Sequence, residues 1–160
     1  EWFFSHNKFT RGCNSLFITL IPKIHDPKFV SDYRPISLIG SLYKVVTKIL
    51  ARRLSSVLAS LISNVQTAFL PNRQILDGPF IIDELLSWCK RVKQEGMIFK
   101  VDFTKAYDSI RWEYLDNVLD AFGFGFKWRA WIKGSLLHGM ASILVNGSPT
   151  SEFELHRGLK

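Results

Sequence analysis

Two aspartates six residues apart, Asp102 and Asp108, punctuate the stretch "KVDFTKAYDSI" over residues 100–110. Asp102 follows Ile98, Phe99 and Val101, at the carboxyl end of what reads as a buried strand. An unpaired carboxylate buried there costs on the order of several kcal/mol, or else takes up a proton. Its stable solutions are a helix N-terminus, a basic neighbour such as Lys100 or Lys105, or a metal ion. Hard divalent cations take oxygen ligands, commonly one or two carboxylates plus the phosphate oxygens of a substrate. The residues alone leave two readings open for Asp102, a turn residue after a strand or a metal ligand. Asp108 precedes an amphipathic segment and reads as the N-cap of a helix.

Other chemistry is thin. The four histidines, His6, His25, His138 and His156, have no Cys or His partner at metal-ligand spacing. Cys13 and Cys89 also lack such spacing, and Cys89, beside Leu85, Leu86 and Trp88, reads as a core residue. No zinc site is indicated, and the cysteine usage points to a reducing compartment.

The elements that must position the aspartates follow from periodicity. "SLFITLIPK" (15–23) reads as a strand stopped by Pro22, and 24–35 as a polar loop with room for a short strand. Residues 41–63 carry the strongest helical pattern, with Leu42, Val45, Val46, Ile49, Leu50, Leu54, Val57, Leu58, Leu61 and Ile62 recurring at spacings of three and four as an apolar stripe. Lys44, Lys48 and Arg52 lie four apart on a different face, either a solvated surface or one that meets nucleic acid. A second helix is expected within 74–94, starting or kinking near Pro79. A strand is expected over 96–103, then a helix capped by Asp108 or Ser109 and running to about Phe122. Trp112, Leu115, Val118, Leu119 and Phe122 would face inward. A further helix over 127–138 precedes a closing hairpin that turns at Asn146-Gly147. Strands and helices therefore mix as α/β or α+β, with an antiparallel pair at the end.

The chain has 160 residues, 47% hydrophobic, enough for a real core and one domain by default. Its formal net charge of +7 is uneven: residues 1–63 hold nine Lys and Arg against three Asp and Glu. Such a basic third suits a polyanionic partner, nucleic acid before membrane surface. The apolar runs, of which "LFITLI" is the longest clean one, fall far below the roughly 20 residues of a spanning helix. The opening on Glu1-Trp2-Phe3-Phe4, without Met, looks like a piece of something longer.

Taken in order, "LIPK", "SDYRPISLIGSLYKVVTKILARRL", "QTAFLPNRQILDG", "FKVDFTKAYDSIRWEYL", "ILVNG" and "RGLK" resemble the reverse transcriptase of LINE-type non-LTR retrotransposons, plant elements most closely. The likeness runs from about residue 15 to the end, and the RPISL and VDFTKAYDSI blocks are specific in combination.

The resemblance implies an α+β right-hand polymerase fold: fingers over 1–95 and a partial palm over 96–160, truncated before the second catalytic hairpin. It implies that Asp102 is the first catalytic, metal-binding aspartate and that the backbone carbonyl of Phe103 serves the same metal. Tyr107 would lie under the incoming sugar and fill the space of a 2′-hydroxyl. Arg34 would clasp the incoming triphosphate, which suits its planar fork, with Lys23 assisting. Lys44, Lys48, Arg52, Gln66 and Arg73 would track the template. The implied chemistry is two-metal nucleotidyl transfer with Mg²⁺ on an RNA template, a DNA primer and deoxynucleoside triphosphates. No membrane is involved, and a nuclear site is suggested.

The family also has a Tyr/Phe-Ala-Asp-Asp hairpin, and no Asp-Asp occurs in this sequence. After "RGLK" the family continues with Gln-Gly-Asp-Pro, then the rest of the palm and a thumb, usually with an endonuclease. The expectation is a fragment inactive alone as a polymerase, marginally stable, with an open edge on the strand carrying Asp102. Two further readings stand beside it. One is a non-catalytic nucleic-acid-binding remnant. The other is a phosphotransferase with Asp102 as nucleophile, disfavoured because Thr104 stands where a second carboxylate is wanted.

Overall fold

The computed structural model describes residues 1–99 and 106–158. The chain packs as two compact units, Glu1–Ile49 with Lys105–Lys160, and Leu50–Thr104. The fold is mixed α/β.

The sheet belongs to the first unit. Its spine is β1 (Ser15–Pro22), which pairs antiparallel with β2 (Tyr33–Ile39) and parallel with β3 (Met140–Val145). Leu16 lies beside Ala141 in the β1–β3 register, and both side chains are buried. β3 also pairs with β4 (Ser148–Pro149) and β5 (Phe153–Glu154), both antiparallel. The expected hairpin is present: Asn146 at φ 49° and Gly147 at φ 82° form the tight turn from β3 to β4.

The β2 strand extends well past the short strand allowed for in the 24–35 loop. Pro35 is compatible with it because of ladder phase. Lys23 donates its N–H to the Asp32 carbonyl across the ribbon (2.8 Å). Alternation of the antiparallel ladder then turns the nitrogens of Tyr33, Pro35 and Ser37 away from β1. Among the described residues β2 is a sheet edge, so the donor missing from Pro35 would have faced outward. Before β2, a 3-10 turn (Val30–Asp32) closes the loop, and the Asp32 carboxylate accepts the N–H groups of Lys28 and Phe29 (3.0 and 2.9 Å). Those two bonds hold its pKa below the ordinary aspartate value.

The N-terminal segment, to which the sequence reading gave no element, forms α1 (Trp2–His6) and grips α6 (Phe126–Leu136). The Trp131 indole N–H donates to the Phe4 carbonyl (3.0 Å), and the two rings meet edge to face. The last turn of a helix leaves carbonyls without intrahelical donors. Here Tyr43 Oη donates to the Ser135 carbonyl (3.0 Å) and Asn14 Nδ2 to the Leu137 carbonyl (2.7 Å). Burial pushes the Tyr43 phenol up to about 12.

Helix α2 (Ser41–Leu61) matches its expected span but not its expected stripe. Tyr43, Val46 and Leu50 are buried, whereas Leu42, Val45 and Ile49 are exposed. Periodicity could not rank Tyr43 above these aliphatic residues, because its burial comes from the α6 carbonyl it meets and from Phe9 beside it. In α5 (Trp112–Ala121) Leu119 is buried, Trp112, Leu115 and Val118 are half-buried, and Phe122 is exposed.

Arg129 joins α5 to α6. Its Nε and Nη2 meet both carboxylate oxygens of Asp116 (2.8 Å each), and Nη1 donates to Asp120. The guanidinium holds the Asp116 carboxyl below its ordinary range. A depressed aspartate pKa contributes stability above the unfolded value of about 3.9, and this is lost as pH falls through the folded value. Thermal melts between pH 6 and about pH 3 should therefore show acid destabilisation that flattens in Arg129→Met. Identical acid profiles for the two proteins would contradict the clamp. Asp32 keeps its own acid response in both.

In the second unit, α3 (Asp77–Val92) forms as expected, but none of its residues is buried. Phe80 is 68% exposed, and Cys89, expected in the core, is half-buried facing Gly96. Residues 96–99 carry no regular structure, and the rest of the expected 96–103 strand lies outside the described residues. None of the described helices is long and apolar enough to cross a membrane.

Candidate functional site

Asp102 and Phe103, the expected metal and catalytic positions, lie outside the described residues. The motif block resumes at α4 (Ala106–Ser109), a single turn that carries Tyr107 and Asp108. Tyr107 stands 64% exposed. Asp108 does not cap α5, which corrects the expectation from sequence. Ser109 ends α4, Arg111 is extended (φ −81°, ψ 134°), and Arg111 itself occupies the N-cap position without a side-chain cap bond. The break at 110–111 places Asp108 three residues before the α5 N-cap position.

The fold brings this turn against the last motif block. Gly158 of "RGLK" is buried and left-handed (φ 86°), a conformation that glycine adopts at little cost. A Cβ on Gly158 would sit 3.0 Å from the Asp108 carbonyl oxygen and 3.3 Å from its Cα. The Gly158 N–H donates to the Ile110 carbonyl (2.9 Å), and the Trp112 indole N–H donates to the Gly158 carbonyl (2.8 Å). Segments 46 residues apart in sequence are thus joined through one residue.

Lys23 and Arg34 come together at the loop end of the β1–β2 ribbon. Arg34 pairs with Ile21, and Lys23 is bonded to Asp32 one step further along, which puts both residues on one ribbon face. Lys23 Nζ donates to the Ser31 carbonyl (2.9 Å), while Arg34 is exposed. A cation pair of this kind, one anchored and one free to reach, suits phosphate oxygens.

Lys44, Lys48 and Arg52 are exposed along α2 and have no carboxylate partner among the described residues. Arg73 is placed differently. Its Nη1 donates to the Ser63 and Gln66 carbonyls (2.6 Å each), and Nη2 to the Ile62 carbonyl (2.9 Å) and Asn64 Oδ1 (3.3 Å). It satisfies carbonyls after the C-terminus of α2 and fastens the loop that holds Gln66. The sequence offers no spacing from which that role could be read.

Sequence reasoning also left Trp112 without a role beyond core packing and gave none to Arg129, Asp116 or Asn14. A signal for the clamp did exist: Asp116 and Asp120 lie four apart on one helix, with an arginine in the next. No group of three His, Cys, Asp or Glu among the described residues is placed to hold a metal. The donors assigned to a metal by resemblance, one carboxylate and one carbonyl, are hard oxygens of the type a Mg²⁺-like ion takes. A cleft of about 680 Å³ lies between the loop carrying Lys8 and Arg11 and the strand region of Glu152 and Glu154.

Over residues 21–160 the chain matches the family described as reverse transcriptase (RNA-dependent DNA polymerase). It is 30% identical over 98% of its length to the transposon TX1 uncharacterized 149 kDa protein of Xenopus laevis, covering 12% of that protein. It is 27% identical over 89% of its length to a retrovirus-related Pol polyprotein from the type-1 retrotransposable element R2 of Popillia japonica, covering 20% of it. To the polyprotein of element R2DM of Drosophila melanogaster it is 29% identical over 88% of its length, covering 13%. The chain thus spans a fifth or less of each of these relatives.

Proposed function

This chain belongs to the reverse transcriptase family, as a segment of the domain found in non-LTR retrotransposon polyproteins, and from that premise we propose how its residues serve RNA-directed DNA synthesis. Residues 1–95 act as fingers and 96–160 as the first part of the palm. Arg34 and Lys23 hold the phosphates of the incoming nucleotide, and the Tyr107 ring occupies the space a 2′-hydroxyl would need. Asp102 and the Phe103 carbonyl would hold a divalent cation, Mg²⁺ by the hardness of those oxygens. When bound, the ion supplies charge neutralisation and Lewis acidity at the phosphates. Lys44, Lys48 and Arg52 meet the RNA template backbone, and Arg73 secures the loop that presents Gln66. The remaining palm, the thumb and an endonuclease would belong to the same polyprotein, as would contact with a DNA primer.

One observation supports this reading above the others. The packing of Gly158 on the Asp108–Ile110 backbone joins the motif block that carries Tyr107 to the "RGLK" block, which in the family leads into Gln-Gly-Asp-Pro. A second reading, a nucleic-acid-binding remnant without catalysis, draws on the unpaired α2 cations, which do not depend on Asp102.

Binding assays separate the two. With RNA, replacing Lys44, Lys48 and Arg52 by alanine should lower the log Kd against log salt slope by about two, at roughly 0.7 per lost single-strand phosphate contact. With dATP and Mg²⁺, Asp102→Asn should weaken binding by about tenfold or more while RNA affinity is kept. RNA binding without any Asp102-dependent nucleotide binding would favour the remnant and sink the polymerase reading.

A further inference from the structure

Trp112 sits at the first position of α5, half-buried, with its only polar atom committed to a residue 46 positions away (2.8 Å). An indole N–H is a donor only, and when buried it takes an acceptor wherever the fold provides one. Here the acceptor is the carbonyl of Gly158, whose N–H is already given to Ile110 (2.9 Å). Both polar groups of this glycine are therefore held by the 110–112 segment. The same glycine packs on the Asp108 backbone, so closely that a Cβ there would sit 3.0 Å from the Asp108 carbonyl oxygen and press that backbone aside. Tyr107 is the residue immediately before that contact, in a one-turn helix too short to be rigid by itself.

We propose that Trp112 is a positioning residue: its indole N–H pins Gly158 against the Asp108 backbone and so fixes the turn that aims Tyr107. This rests on the reading of Tyr107 as the group that excludes a 2′-hydroxyl. Trp112 reaches no nucleotide itself and acts through Gly158. Its hydrogen bond is one of two that hold that glycine, so losing it loosens the turn without unfolding the unit. The consequence is selectivity: a less tightly held Tyr107 ring discriminates less well between deoxyribose and ribose.

The test uses the full 160-residue chain with Trp112→Phe and Trp112→3-benzothienylalanine. Phe keeps a ring; the benzothienyl side chain keeps the bicyclic shape with sulfur in place of the N–H. Hydrogen exchange at the Gly158 amide is read first, and should speed up about fivefold in both variants, the usual worth of one net hydrogen bond. The melting temperature of the benzothienyl variant should stay within about 2 °C of the parent. The preference for dATP over ATP, both with Mg²⁺, should fall about threefold to tenfold. In a Tyr107→Ala background the same Trp112 change should add nothing to that loss, because the two residues act in one chain of contacts.

Unchanged exchange at Gly158 in the benzothienyl variant overturns the proposal whatever the nucleotide data show. A preference abolished by Tyr107→Ala but untouched by either Trp112 variant also overturns it, and leaves the polymerase reading standing. Absence of any deoxyribose preference in the parent chain removes the reading of Tyr107, and the proposal falls with it.

Discussion

Gly134→Ala will destabilise the unit formed by Glu1–Ile49 and Lys105–Lys160 by about 2–3 kcal/mol, against the sign that helix propensity gives. Gly134 lies inside α6, where glycine is the poorest residue short of proline. On an open helix face the change to alanine would stabilise by up to about 1 kcal/mol. The obstacle is contact. A Cβ at Gly134 would overlap the backbone carbonyl of Asn7, with the Asn7 carbonyl carbon at 2.7 Å. Asn7 cannot step aside cheaply. It is the left-handed C-cap of α1 (φ 56°), and its N–H is bonded to the Phe3 carbonyl (2.8 Å). Relieving the overlap means drawing α1 from α6, with strain on the Trp131–Phe4 bond and the aromatic contact beside it. Urea or thermal melts of parent and variant decide it. An alanine variant as stable as the parent, or more so, would show that the N-terminal segment does not pack on α6 in this way.

The second large effect is expected at Gly158. Gly158→Ala should cost about 2–3 kcal/mol, part backbone and part packing. Gly12 supplies the control: its φ of 85° nearly equals the 86° of Gly158, but a Cβ there meets nothing within 4 Å. Gly12→Ala therefore measures the left-handed strain alone, about 1–2 kcal/mol. The excess at Gly158 measures contact with the Asp108 backbone. Equal losses at the two sites would mean that the "RGLK" block does not press on the Tyr107 turn, and would remove the main structural support for the proposed nucleotide pocket. Exchange at the amides of residues 107–110 in Gly158→Ala would locate the damage. Faster exchange there, with the β1–β3 ladder unchanged, is the expected pattern.

Much of the chain could be read before any coordinates, and the reasons are local. The helices over 41–61 and 77–92 announce themselves by apolar spacing, and the last hairpin by Asn146-Gly147. The family was legible because short blocks such as "YRPISL" and "VDFTKAYDSI" carry chemistry in contiguous residues. What failed locally failed for a nameable cause. β2 was underestimated because Pro35 counts against a strand until the ladder phase is known. The Asp108 cap was wrong because a break at 110–111, with Arg111 extended, interrupts what reads as one amphipathic run.

Pattern alone therefore determined the long helices and the last hairpin, the basic N-terminal third and the identity of the motif residues, since each depends on side-chain chemistry or on spacing within a few residues. Only the tertiary structure decided which face of α2 is buried, that Arg73 fastens its own loop, that Gly134 and Asn14 seat the N-terminal segment on α6, and that Tyr43 bonds α2 to α6. It alone placed Trp112 on Gly158. These contacts join residues with no periodic relation. They arise where a free carbonyl or a missing Cβ on one element meets a donor or backbone on another, and such a meeting exists only once the chain has folded.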